Sequence, residues 1–123
     1  MSSGDDTNAF LWKWIGQGIG GDASNNQFAC SISLSDNGKT LVVGAQYANG
    51  KNGEYLGIVI IYQMNDAKMN WIQIGNGIDG KAAYDKSGSL VFLSADGNKV
   101  AIGSPYNGDN GINSGHVRVF GLE

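Results

Sequence analysis

The chain has 123 residues, among them 20 Gly and a single Pro, with a formal net charge of −3 and 15% charged residues. That length suffices for one modest core. No basic stripe exists to neutralise a phosphate backbone, which excludes nucleic acid as a partner, and no apolar run reaches the roughly 18 residues a membrane-spanning helix needs.

The first nine residues are mostly polar, show no signal-peptide pattern, and read as a flexible N-terminus (1–9) ahead of one unit spanning 10–123. That unit repeats itself. Shifted by 59 residues, Trp12–Tyr47 aligns without gaps on Trp71–Tyr106 with 12 of 36 positions identical. The identities are of structural kinds: Trp12 with Trp71, Ile15 with Ile74, Gly44 with Gly103, Tyr47 with Tyr106. One residue is then dropped, and Asn49-Gly50 matches Asn107-Gly108 while Gly57 matches Gly115. A fixed internal period is the mark of a repeat architecture.

In chain order, the first element is LWKWIGQGI (11–19), an alternating stretch of outer-strand type. SISLS (31–35) follows, then a turn at Asp36-Asn37-Gly38, a hairpin signal. TLVVGA (40–45) and GIVIIYQM (57–64) are nearly continuous apolar runs, as expected of strands covered on both faces. NWIQIGNGI (70–78) is the counterpart of 11–19. The second copy then runs LVFLS (90–94), a turn at Ala95-Asp96-Gly97, KVAIGS (99–104) and GHVRVFGL (115–122), and it has no fourth strand at its end.

The fold expected is therefore all-β, with two four-stranded antiparallel propeller blades per chain. Blade one covers about 28–78, and blade two covers about 87–122. Residues 11–19 of a neighbouring chain would complete blade two, so the propeller closes by homo-oligomerisation with N-terminal strand exchange. Three chains give six blades, the favoured count, and four give eight.

Several motifs are weighed and set aside. Gly16, Gly18, Gly21 and Gly75, Gly77, Gly80 spell the dinucleotide fingerprint twice. No helical pattern follows either triplet to carry a pyrophosphate, so these read as turn and bulge glycines. Cys30 is alone, which rules out an intrachain disulfide, and reads as a small buried residue. His116 has no metal-ligating or acidic cluster in sequence and reads as structural. Trp12 and Trp71 read as structural, whereas Trp14, opposite Gln73 of the other copy, reads as exposed or interfacial. No nucleophile–base pattern, carboxylate pair or metal triad stands out, and the chain reads as a non-enzyme without a cofactor.

The loops 47–56 and 106–114 are rich in Tyr, Asn, Gly and Asp. Tyr47, Asn49, Tyr106, Asn107, Asp109 and Asn110 are the candidate ligand-binding residues. Their rings could stack on a sugar and their amides could bond its hydroxyls, while solvated turn chemistry is the plainer reading. Asn107, Asp109 and Asn110 also offer oxygens of the type Ca²⁺ uses.

The strand–loop pattern resembles the FG-GAP repeats of integrin-like propellers. Phe28-Ala29 and Ser87-Gly88 stand at the F-G position, Gly44-Ala45-Gln46 and Gly103-Ser104-Pro105 at G-A-P, and Gly57 and Gly115 open the following strand. The resemblance implies a propeller. The acidic D-x-D-x-D-G loop of many such repeats is missing, because SLSDNGKT and FLSADGNK are too short for it, so no bound metal is expected. The function expected is a non-enzymatic, self-assembling β-propeller binding or interaction module, lectin-like, with carbohydrate or protein as ligand. The alternative is a purely structural propeller fragment, or a designed minimal scaffold, with no ligand.

Overall fold

The computed structural model describes residues 11–21, 26–50 and 53–122. The stretch expected to be flexible, 1–9, lies outside them, as do Lys51 and Asn52 of the first long loop. The described residues contain no helix. Seven strands form two antiparallel sheets. The first has the order β1 (Phe28–Leu34), β2 (Thr40–Ala45), β3 (Ile58–Asn65), β4 (Asn70–Asp79), and the second β5 (Leu90–Leu93), β6 (Lys99–Ser104), β7 (His116–Gly121). The all-β expectation and the strand order of both repeats hold, and the strand ends move by up to three residues.

The two hairpin turns are built alike. Gly38 (φ 74°) and Gly97 (φ 77°) both occupy the left-handed region that glycine reaches without strain. Asn37 Oδ1 accepts from the Ser35 hydroxyl (2.9 Å) and the Lys39 N–H (2.9 Å). Asp96 Oδ1 likewise accepts from Ser94 (2.7 Å) and the Asn98 N–H (3.0 Å). Those bonds, the Asn98 N–H foremost, hold the Asp96 carboxyl below the usual carboxylate range. The turns also touch, since the Asp36 N–H donates to the Ala95 carbonyl at 2.9 Å.

The glycines of β4 serve a bulge. Pairing jumps from Ile61↔Ile74 to Val59↔Ile78, and Gly75 (φ 72°) and Gly77 (φ 89°) absorb the extra residues. A second bulge, between Phe28 and Ser31, corrects the expectation for Cys30. Ala29 takes φ 69° there, the alternation of β1 is broken, and Cys30 is exposed rather than buried.

The sheets pack face to face. Ser33, Val42, Val59, Ile61 and Ile78 of the first meet Val91, Leu93, Val100, Ile102 and Phe120 of the second, and Val42, Val59 and Ile102 are wholly buried. Polar bonds cross the same seam. Ser33 Oγ accepts from the Leu93 N–H (3.0 Å), and the Ser31 hydroxyl donates to the Gly88 carbonyl (2.8 Å). Arg118 adds to it by donating to the Asp79 carbonyl at 2.9 Å.

Residues 11–19, expected to form an outer strand, carry no strand. They run irregularly beside β4. Gln17 accepts from the Trp71 N–H (2.8 Å) and donates to the Trp71 carbonyl (2.9 Å), and the Trp71 indole N–H donates to the Ile15 carbonyl (3.2 Å). Trp71 is half-buried by this packing, whereas Trp12 and Trp14 are 78% and 70% exposed. Trp12, expected to be structural, is thus without the packing that its counterpart enjoys. A strand exists only with an edge to pair on, and this segment has not taken one.

Candidate functional site

Antiparallel order sends the connections β2–β3, β4–β5 and β6–β7 to the same end of the two sheets. The candidate residues therefore gather there, and side-chain geometry divides them into two groups.

Asn107 is 1% exposed and belongs to the loop's own framework. Its amide donates to the buried Asp85 carboxylate (2.8 Å), and its Oδ1 accepts from the Asp109 N–H (3.0 Å). Asp85 is held in turn by the Ala82 N–H at 3.1 Å. Asn49, the counterpart of Asn107, is exposed, and its Oδ1 accepts from the Tyr55 N–H (3.0 Å). Asp109 is exposed and pairs with Lys81 at 2.7 Å; that hydrogen bond and charge hold its carboxyl below the usual range. Asn110 is exposed at the tip of its loop.

The two tyrosines enter a cluster. Tyr47 meets Tyr55 with ring centroids 5.1 Å apart, and Tyr55 meets Tyr84 edge-on at 5.7 Å. Lys86 lays its ammonium 4.4 Å from the Tyr106 ring centroid and 5.2 Å from that of Tyr47, within cation–π reach of both. Tyr47, Tyr55, Lys86 and Gln27 line an open cleft. A backbone ladder braces its floor: Tyr84 N–H to Glu54 O (2.8 Å), Lys86 N–H to Tyr55 O (2.9 Å) and Ser87 N–H to Leu56 O (2.9 Å). The Tyr84 hydroxyl donates to Glu54 (3.0 Å), and that bond to a carboxylate raises the phenol's pKa.

Reading the sequence alone misses Tyr55, Tyr84, Lys86 and Gln27. Tyr55 and Asn113 are repeat counterparts, as are Lys86 and Gln27. An aromatic standing where the other copy has the turn residue Asn is the signal that could have found Tyr55. His116 sits at the start of β7 with its Nδ1 buried and unpartnered. Among the described residues no group of three or more His, Cys, Asp or Glu could hold a metal ion. No protein-family model matches this chain, and no curated protein matches it.

Proposed function

We propose that the chain is a self-assembling β-propeller unit whose two sheets are blades, completed by other copies of itself, and that it serves as a non-enzymatic binding module. The observation that carries this reading is a bare apolar sheet face that occupies the same repeat positions as a covered one. Leu90, Phe92, Val117 and Val119 share one face of the second sheet through the pairings Leu90↔Gly103↔Val117 and Phe92↔Ala101↔Val119. All four are more than 60% exposed. Their repeat counterparts, Ser31, Ser33, Val59 and Ile61, form the face of the first sheet that the second sheet covers. Fully burying each such apolar side chain contributes about 1.5–3 kcal/mol, and a bare patch of this kind marks an interaction surface. By repeat equivalence, the occupant is the first sheet of a second copy. Its outer face carries Ile32 and Leu34, 62% and 55% exposed, as counterparts of Val91 and Leu93.

The N-terminal segment supports the same arrangement. Transferring the β3–β4 register to the second repeat places Trp12 beside Leu122, Trp14 beside Phe120 and Ile15 beside Val119. An apolar groove of about 250 Å³ lies there, lined by Ile61, Ile74, Leu93, Phe120 and Leu122. Two exposed tryptophans and one unfilled groove thus match in register, provided that the strand comes from another copy. Head-to-tail contacts of this kind close into rings when the rotation between copies permits. Three copies give six blades, the count we favour, and four give eight. Native mass spectrometry tests the reading. Species at three or four times 12.9 kDa are expected, and a folded monomer persisting at micromolar concentration would overturn it.

A purely structural role, assembly without a ligand, is the second reading. It is favoured by Asn107 and Asp109, two of the candidate site residues, whose side chains are engaged within the loop framework.

A further inference from the structure

We propose that Tyr47, Tyr55, Tyr84 and Tyr106 with Lys86 form a shelf for a saccharide bearing a carboxylate, such as a uronic acid. This rests on the binding half of the proposed function and names the ligand class.

The first ground is backbone strain. Tyr55 holds φ 52° and its counterpart Asn113 holds φ 56°. The repeat therefore demands a left-handed residue at this turn. Asn meets that demand at little cost because its short side chain tolerates the region, whereas a bulky ring there is an outlier. The turn explains Asn113 and leaves Tyr55 unexplained. Tyr84, in contact with Tyr55, holds φ 67°, whereas the left-handed conformation of Lys86 (φ 54°) is shared by its counterpart Gln27 (φ 56°) and belongs to the repeat. Two bulky rings held in this conformation and in contact with each other, Tyr55 and Tyr84, point to what their side chains present.

The second ground is exposure. Rings held for packing would be covered, yet Tyr55, Tyr84 and Tyr106 are 38%, 53% and 46% exposed. They are rigid, with few rotatable bonds, and they present apolar faces with polar rims. The cleft is shallow and open. A ligand seated on it leaves much of its surface in water, which suits a saccharide: C–H groups against a ring, hydroxyls solvated.

The third ground is charge. Lys39 and Lys81 are paired with Asp66 and Asp109. Lys86 has no carboxylate within ion-pair distance among the described residues. Its sequence neighbour Asp85 is turned inward onto Asn107, and Glu54 is engaged by the Tyr84 hydroxyl. An ammonium held over two rings, with its hydrogens unclaimed by an acid, is a ready partner for an anionic group. In a chain of net charge −3, this cation is what would draw an acidic ligand to the shelf.

The test compares two oligosaccharides of one linkage, ending in glucuronate or in glucose, by isothermal titration against the assembled protein. The acidic one is expected to bind about tenfold tighter, as a charge-assisted hydrogen bond implies, and the preference should fade with added salt. Lys86→Met should erase the preference. Tyr55→Asn should abolish binding while the melting temperature stays level or rises, since Asn suits the turn. Equal binding of both sugars, or a preference that survives Lys86→Met, sinks the acidic-ligand inference and leaves a neutral lectin standing. A fall in melting with binding per folded molecule intact makes Tyr55 structural and sinks the shelf. If neither sugar binds, the shelf and the carbohydrate-binding reading fall together, and assembly is unaffected.

Discussion

Gly44 lies so close to Gly88, in the turn that leads into β5, that a β-carbon on Gly44 would collide with the Gly88 carbonyl oxygen. Its repeat counterpart Gly103 has the same residue and no such neighbour, its nearest atoms being those of Leu90 at 3.6 and 3.7 Å. The glycine is retained where, within one chain, nothing requires it. A second copy seated on that face would supply the requirement through Phe28-Ala29, the counterpart of Ser87-Gly88.

The two glycines should therefore part ways on substitution. Gly44→Ala should unfold a large fraction of the chain, because overpacking against backbone costs about 1–3 kcal/mol or more. Gly103→Ala should leave the circular dichroism of the folded chain unchanged and move the native mass to the monomer. Equal effects of the two changes on folding, with assembly intact in Gly103→Ala, would count against the docking of a second copy.

Trp14 tests strand exchange separately. If it fills the groove beside Phe120 in another copy, Trp14→Ala should weaken assembly by the about 2–4 kcal/mol of an interface hot spot. The fold of each chain should survive, because Trp14 is 70% exposed there. Deleting 1–19 should abolish assembly outright. Sedimentation across a concentration series reads both.

Chelation should leave the melting temperature unmoved. Asp109 Oδ2 accepts from Lys81 and Asn107 Oδ1 accepts from the Asp109 N–H, and among the described residues no group of three or more His, Cys, Asp or Glu could hold a metal ion. A fall of several degrees with EDTA in differential scanning calorimetry would contradict this.

Tyr84 should titrate late. Donating to the Glu54 carboxylate raises its pKa above the ordinary 10.0. A raised folded value means that the bond's contribution is present below pH 10 and is lost as pH climbs through the raised value. Glu54→Gln should return the phenol toward its ordinary titration. Ultraviolet difference spectra of the parent and of Tyr84→Phe isolate the one phenol.

The repeat, the all-β class, six of the seven strands to within about a residue at either end, and both hairpin turns were legible in the sequence. Each rests on local rules: alternation, β-branched runs, and Asx-Gly turns that close on their own neighbours. Tertiary structure decided the rest. The start of β1 moved because Ala29 enters a bulge, which also exposed Cys30. Asn107 and Tyr106 looked alike as loop residues, yet one is buried on Asp85 and the other lies open under Lys86. Tyr55 and Asn113 share a backbone conformation that a residue's identity does not reveal. Segment 11–19 has strand character and no strand, because a strand's hydrogen bonds belong to the pair and the sequence of one partner cannot supply the edge of the other.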